Sequence, residues 1–361
     1  MAPGTALQAW LDGPLRRRLD AQTRRRAPRL PAPQVFVRAP GVRFSYGDAE
    51  RPFHCASIGK LFTAVVIGRL IERGLLTLNT PVGTVVPAAE LARLPAVPGV
   101  DLAHELTVDH LLSHHSGLPD PFLPPRGQHT ACAMTMLPDD LDRRWTLRDF
   151  LGEAAGLAPV GRPGERFHYS DAGYALLLRV AEEVGDAPAG ELLASHVFDP
   201  SGMPGTHQPH LNASRAELAD LDIAPMWLGR TEVSRTPAVS VGSVDGGAVT
   251  TIDDLVRFQQ ALHDGRLIDP GLLSQLSRRR ARLRPGIHYC AGLATLRFGE
   301  FTPLLLRGLP EPTGGLGLTA THLFRYPAQD AHVVMNFHAT DAMRPSFQIH
   351  IEIARRLARL N

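Results

Sequence analysis

Apolar residues crowd one stretch of the chain on almost every side: Ile58, Leu61, Phe62, Ala64, Val65, Val66, Ile67, Leu70 and Ile71. A helix that is apolar all round is a buried one. Ser57 is the candidate N-cap and Gly74 the candidate C-cap. The run is too short for a bilayer, which takes about 20 residues. Before it, Leu7, Trp10, Leu11, Leu15 and Leu19 have helical spacing. Val35-Phe36-Val37 and the run Val42 to Tyr46, around Ala39-Pro40-Gly41, read as a hairpin. After it, Thr107 caps a short helix to Leu112 that Gly117 ends, and residues 120–144 read as a long surface loop overhanging a cleft. Helices follow over 145–156, 172–184 (with Asp171 as cap) and 191–198. Two more are predicted from Thr251 or Asp253 to His263 and over 269–280. The remainder predicts strands over 289–298, 302–306, 316–325 and 332–337, with Gly314-Gly315 between the second and third, and a helix over 346–360.

A two-stranded hairpin is not stable alone, so both ends of the chain are expected to share one sheet. The predicted class is α+β: an antiparallel sheet flanked by N- and C-terminal helices, with an inserted, mostly helical domain. The expected sheet domain is 1–73 with 236–361, the insertion is 74–235, and the active site lies in the cleft between them.

Composition narrows the function. The chain has 361 residues, is 44% hydrophobic and 20% charged, and carries a net charge of +2. That balance gives no case for a nucleic-acid or membrane partner. The short arginine runs 16–18, 24–26 and 278–280 read as solvated helix faces. Three cysteines, Cys55, Cys132 and Cys290, have no paired spacing, so neither a disulfide frame nor a zinc site is implied. His110, His114 and His115 lack a completing carboxylate or cysteine and read as hydrogen-bonded or exposed side chains. No glycine loop of phosphate-binding pattern precedes a helix, and no cofactor is expected. The N-terminus has no apolar core of signal-peptide length, and a cytoplasmic location is expected.

Candidate chemistry sits at the start of the buried helix. Of the 38 lysines and arginines, one is lysine, Lys60. It lies three residues after Ser57, a spacing that puts both side chains on one helix face. Burying an ammonium is unfavourable unless it is paired or loses its proton. Lysine can do the latter and arginine cannot, so a neutral or proton-sharing Lys60 able to activate the Ser57 hydroxyl is expected. The bland alternative is a lysine that snorkels to the surface.

Ser57-Ile58-Gly59-Lys60 resembles the S-x-x-K motif of serine β-lactamases and penicillin-binding proteins. The similarity extends to the class C β-lactamase-like branch, which also holds esterases and D-aminopeptidases. Tyr169-Ser170-Asp171 with Gly173-Tyr174 resembles its Tyr-x-Asn motif, and His110 to Leu118 its H-L-L-[ST]-H-x-S-G-L segment. Gly246-Gly247, Thr251, Asp254-Leu255 and Phe258 resemble its GG…T…DL…F segment, and Pro200-Ser201-Gly202-Met203 its P-[LS]-G-M turn. The resemblance spans about residue 30 to 360 and implies a β-lactamase/transpeptidase-like fold. It implies Ser57 as nucleophile, Lys60 as base, and Tyr169 as a second relay member, as phenolate or phenol, that hands a proton to the leaving group. The backbone N–H groups of Ser57 and Gly315 would form the oxyanion hole. Asp171, Thr313 and Gly314 would bind substrate or support the site.

Two departures matter. Pro312 stands where the family carries Lys or His, which puts recognition of an anionic substrate in doubt; Arg307, His322 or Arg325 could replace that cation. Asp171 stands where Asn is usual. A carboxylate beside Lys60 favours the charged amine, unless Asp171 only caps its helix. The implied function is a serine hydrolase forming a Ser57 acyl-enzyme on small esters or amides. A β-lactamase or D-amino-acid peptidase of the same fold, or an inactive binding or scaffold protein, remain the alternatives.

Overall fold

The computed structural model describes residues 3–360; residues 1, 2 and 361, the outer ends of the expected sheet domain, lie outside it. The chain starts with helices α1 (Pro3–Trp10) and α2 (Arg16–Arg26), joined by one wider turn. The hairpin β1 (Gln34–Ala39) and β2 (Val42–Tyr46) follows as expected, then a short strand β3 (Phe53–His54) and the buried helix α3 (Gly59–Glu72). The helical middle includes α4 (Val108–Leu112), α5 (Leu147–Ala155) and α6 (Asp171–Gly185). A short strand β4 (Val249–Thr250), paired with β3, and helix α7 (Ile252–His263) return the chain to the sheet. The closing elements are β5 (Ala281–Arg284), β6 (Ile287–Tyr289), β7 (Ala294–Leu296), β8 (Thr313–Gly317), β9 (Thr321–Tyr326), β10 (Ala331–Asn336) and α8 (Met343–Leu357).

The N-terminal hairpin joins the C-terminal strands in one eight-stranded antiparallel sheet of order β2-β1-β10-β9-β8-β7-β6-β5. Alternation along β1 sorts its side chains. Val35 and Val37 pack with Leu7, Leu11, Leu15 and Leu19 and with Ile349, Ile353 and Leu357 of α8. Phe36 points to the other face and joins the core around α3. Both faces of the sheet are therefore covered, and every residue of β10 is buried. On its far side α3 packs against α6. Gly74 closes α3 with φ +71°, and Leu75 N–H donates to the Leu70 carbonyl at 3.0 Å. Among the described residues no helix is long and apolar enough to cross a membrane.

Some expectations fail for physical reasons. Residues 302–306 are not a strand: Pro303–Leu306 is a single helical turn with proline at its start, where the missing N–H does no harm. Leu304 is 98% exposed there, so no sheet face claims it. Gly314-Gly315 lie within β8 rather than between strands, and a Cβ on Gly314 would stand 1.8 Å from the Leu323 carbonyl oxygen of β9. The helix expected over 269–280 stops at Leu276, because Arg280 N–H donates to the Tyr289 carbonyl and starts the edge strand β5. The loop over 120–144 is only partly surface: Cys132 and Leu137 are buried with Trp145, Val239 and Val241.

Candidate active site

Ser57 does not cap α3. It lies in a 3₁₀ turn, Ala56–Ile58, ahead of the helix, and the cap position is Ile58, with no side-chain bond. Ala56 there has φ +50°, a left-handed conformation that an alanine adopts only when its surroundings impose it. His54 contributes: its Nδ1 accepts the Ala56 N–H at 3.1 Å. Burial, with the nearby His210 adding to it, lowers the His54 pKa to about 3, so the ring is neutral and free to accept. The strained turn releases the Ser57 hydroxyl from capping and presents it to Lys60, whose Nζ donates to Ser57 Oγ at 3.2 Å.

Lys60 is wholly buried. Its Nζ lies 2.7 Å from Asp171 Oδ1 and donates a closer bond to Asp245 Oδ2. Asp171 therefore reaches the lysine and does not cap α6; the cap residue is Ser170. Asp245 was not among the expected site residues. It comes in because two glycines let chain segments touch. A Cβ on Gly59 would lie 2.2 Å from the Gly246 carbonyl carbon, and one on Gly246 would lie 2.4 Å from Thr63 Oγ1. Thr63 Oγ1 donates to the Asp245 carbonyl at 2.8 Å, which fixes the segment on α3. The signal was present as a carboxylate directly before the Gly246-Gly247 pair.

Burial alone would push the Lys60 pKa down. Asp171 and Asp245 outweigh it, and the net shift is well above the ordinary lysine range. The resting residue is an ammonium, which corrects the expectation of a neutral amine. Burial raises Asp245 to about 6, with Lys60 pulling it down and Asp171 pushing it up. Asp120, buried beside this cluster, is pushed well above the carboxylate range by burial and then by Asp171. The Lys60 environment thus holds more carboxyl groups than cations.

Tyr169 stands in the turn before α6. His114 stacks on its ring at 4.3 Å, and His114 Nδ1 accepts the Ser170 N–H at 3.1 Å. Ser170 Oγ donates to the Pro119 carbonyl at 2.9 Å, locking the turn. The Tyr169 phenol lies close enough to Ser57 for that hydroxyl to pull its pKa down, and its ring centroid lies 5.2 Å from Lys60 Nζ. Burial raises its pKa more than the Lys60 charge lowers it, so Tyr169 is a neutral phenol at rest. His110 serves in the capping box of α4 and His115 bonds the Ser113 carbonyl, so all three histidines of that segment are hydrogen-bonded.

Opposite the turn runs β8. A Cβ on Gly315 would meet Leu61 Cδ1 at 2.7 Å and Ile58 Cγ1 at 3.5 Å, so its backbone lies directly against the serine turn. The ladder between β7 and β8 ends at Gly314 opposite Ala294, which leaves that edge of β8 unpaired from Gly315 onward. Gly314 backs onto β9 instead. Thr313 lies two positions before Gly315, opposite Thr295 and Arg325; among the described residues no hydrogen bond joins it to Ser57, Lys60 or Tyr169. None of the three substitutes for the family cation reaches the site. Arg325 bonds Asp330, Arg307 lines a separate hollow with Arg297 and Glu300, and His322 lies on the other face of the sheet against Ser346 and His350.

A pocket of about 40 Å³ opens at Ser57. Phe122, Leu137, Met226, Leu228, Val239 and Val241 give it apolar walls, and Asp171 and Asp245 line one part. Phe122 and Leu137 come from the 120–144 segment, which does overhang the site.

The Beta-lactamase family model matches residues 15–354, and the chain belongs to that family. It is 26% identical over 273 residues to penicillin-binding protein 4 of Amycolatopsis lactamdurans, covering 73% of this chain and 60% of that protein. The chain therefore spans about three fifths of that relative, and about half of two relatives from Bacillus subtilis (strain 168). Its fold is similar to that of D-amino acid amidase from Ochrobactrum anthropi SV3, with TM-score 0.74, 20% identity and coverage of 96% and 98% of the two chains. A D-stereospecific amidohydrolase from Streptomyces sp. gives TM-score 0.71, 21% identity and coverage of 93% and 94%.

Proposed function

We propose that the protein is a serine hydrolase that forms an acyl-enzyme on Ser57 with small esters or amides. The observation that carries this is the convergence of a hydroxyl, a buried amine and a phenol at one strained turn, facing an unpaired strand edge. Ser57 Oγ attacks the substrate carbonyl, and the oxyanion forms against the N–H groups of Ser57 and Gly315. The Ser57 proton passes to Lys60 Nζ as the ammonium gives one of its own to Asp245 Oδ2, already bonded to it. Tyr169 hands its proton to the leaving group and recovers one from the Lys60–Asp245 pair. Water then reverses the sequence and frees the acid. Typical ligand pockets hold roughly 300 Å³ or more, so a pocket of about 40 Å³ favours small acyl groups.

In this reading Asp171, Thr313 and Gly314 bind substrate or support the site. The division into a sheet domain, 1–73 with 236–361, and an inserted domain, 74–235, belongs to it as well. A cytoplasmic location completes it, supported by three buried free thiols, Cys55, Cys132 and Cys290; finding the native protein in a secreted fraction would remove that part. The test of the chemistry is a fluorophosphonate probe read by intact mass. One adduct per chain is expected on Ser57 and none on Ser57→Ala. Equal labelling of both proteins would falsify the assignment. The scaffold reading has one observation in its favour, the ammonium pinned between two carboxylates, and it predicts no labelling at all.

A further inference from the structure

One transverse row of the sheet is basic across four neighbouring strands. Arg38 of β1 stands directly opposite Arg43 of β2 on one side and His332 of β10 on the other, and His332 stands opposite Arg325 of β9. Directly opposed residues of an antiparallel ladder share a face, and like charges such as Arg38 and Arg43 are destabilising there. Strands about 4.8 Å apart make the row about 14 Å long. It lines a hollow of about 610 Å³, together with Gln260, His263 and Asp264 at the end of α7. This hollow shares no lining residue with the pocket at Ser57. Its guanidiniums are poorly neutralised. Among the described residues Arg38 enters no ion pair, Arg43 reaches Asp253 only at 4.0 Å, and Arg325 Nε is buried with no hydrogen-bond partner. Two carboxylates and the carbonyl end of α7 oppose them. Asp330, however, holds one Arg325 nitrogen at 3.4 Å, and Asp264 lies 3.9 Å from Arg266, which is not in the lining. Neither carboxylate pairs with Arg38 or Arg43. Burial and then the charge of Arg325 lower His263 and His332 to about 4, so both rings are neutral and the arginines supply the positive charge.

We propose that this hollow binds a small molecule carrying a diphosphate group, with one phosphate against Arg38 and Arg43 and the other against Arg325. The planar fork of a guanidinium matches phosphate oxygens and gives bidentate, charge-assisted bonds. Arg38 and Arg325 are two strands, about 9.6 Å, apart with His332 between them, so linked phosphates place an anion beside each. The bound charge also offsets the repulsion between Arg38 and Arg43. The volume lies within the usual range of ligand sites, about 300–1,000 Å³, and leaves room for an organic group against Pro40 and Val42. The site stands apart from the reaction at Ser57 and does not depend on it.

The experiment is calorimetric titration of the full-length protein, at pH 7.5 and fixed ionic strength, with pyrophosphate, orthophosphate and adenosine diphosphate. One site per chain is expected. Pyrophosphate should bind at least about tenfold more tightly than orthophosphate, because it meets a further arginine. Arg38→Gln and Arg325→Gln should each weaken pyrophosphate binding about tenfold, the scale of one lost charge-assisted hydrogen bond. Arg93→Gln, which alters a different hollow, should leave it unchanged. Adenosine diphosphate binding as tightly as pyrophosphate, or more so, assigns an organic diphosphate; weaker binding assigns the free ion. No saturable binding of either diphosphate, orthophosphate binding as tightly as pyrophosphate, or equal affinity in all three variants overturns the proposal. The urea midpoint without ligand separates a lost contact from a lost fold. Arg38→Gln removes a like-charge pair, so its midpoint should hold or rise. A fall would overturn the reading of the row as unneutralised in the free protein.

Discussion

The two faces of the sheet each bury a polar cluster, and the clusters are built on opposite rules. Behind the sheet, under α8, His322, Ser346, Tyr326 and His350 form a closed chain. His322 meets His350 at 3.1 Å and Ser346 Oγ at 2.8 Å, Tyr326 meets His350 at 2.9 Å, and Ser346 Oγ donates to the Met343 carbonyl at 2.8 Å. Burial keeps both histidines neutral, His350 at about 3. None of these side chains has an orphaned polar atom among the described residues. In front of the sheet the Lys60 cluster is charged. It also leaves Asp171 Oδ1, Asp245 Oδ1, Asp120 Oδ2 and His114 Nε2 without hydrogen bonds. A satisfied neutral network specifies packing. A charged one with spare acceptors is the kind of strain that accompanies function.

That contrast can be broken most sharply by removing its charge. Lys60→Met keeps the length of the side chain and deletes the amine. Fluorophosphonate labelling of Ser57 is expected to fall at least about 100-fold, the usual scale of a lost acid–base group. Stripping the cation from a buried ion cluster also destabilises by about 3–5 kcal/mol, read as a shift in the urea midpoint. Labelling within threefold of wild type would mean that the amine has no part in activating the hydroxyl.

Gly59→Ala attacks the same cluster without touching a charge. Its Cβ would stand 2.2 Å from the Gly246 backbone, and backbone cannot swing aside as a side-chain tip can. Overpacking of this kind is unfavourable by about 1–3 kcal/mol or more. It should also move Asp245 off Lys60 and slow labelling about tenfold. Gly68→Ala, further along α3, meets only side chains, Ile268 Cγ2 at 3.0 Å and Leu272 Cδ2 at 3.6 Å, and is the control. If both variants label alike, the close approach of Gly59 and Gly246 is not what sets Asp245 in place.

His350→Phe tests the other face. The ring volume is kept, but Tyr326 Oη and His322 Nδ1 lose their partner. Leaving buried polar groups unpaired should lower stability by about 1–3 kcal/mol, with Ser57 labelling unchanged below the melting range. A labelling defect with intact stability would show that the two faces are coupled and that the contrast drawn here is false.

How much of this was legible in the sequence follows the same divide. α3, the terminal hairpin, α6 and the joining of both chain ends in one sheet were legible because apolar spacing and burial agree there. Ser57, Lys60 and Tyr169 were legible as a motif, and they do converge. Lost were facts that depend on what a residue meets across the fold. Asp245 is 185 residues from Lys60 in sequence, and a carboxylate before the Gly246-Gly247 pair does not by itself say which residue it meets. The protonation state of Lys60 was misread for the same reason: burial was inferable, the two carboxylates were not. Thr302 to Leu306 looked like a strand because leucines in a row do not tell a strand from a turn of helix without the neighbouring sheet edge.

The finest difference between the clusters is in proton linkage. His350 falls from an unfolded value near 6.5 to about 3 in the fold. Between those values the unfolded chain binds the extra proton, so the stability that neutral His350 provides is complete above about 6.5 and is lost as pH falls toward 3. Asp245 moves the other way, from 3.8 to about 6. Between those values the folded chain holds the extra proton, so this group favours folding at low pH and loses that contribution as pH rises through 6. From about 4 to 6 the two faces oppose each other, each by at most about 1.4 kcal/mol per pH unit. In urea midpoints taken at half-unit steps, His350→Phe should flatten the acid loss of stability by about one proton. Asp245→Asn should steepen it between 4 and 6 by a similar amount. Parallel curves for both variants and the wild type would mean that neither group changes its proton affinity on folding, and the electrostatic distinction between the faces would be gone.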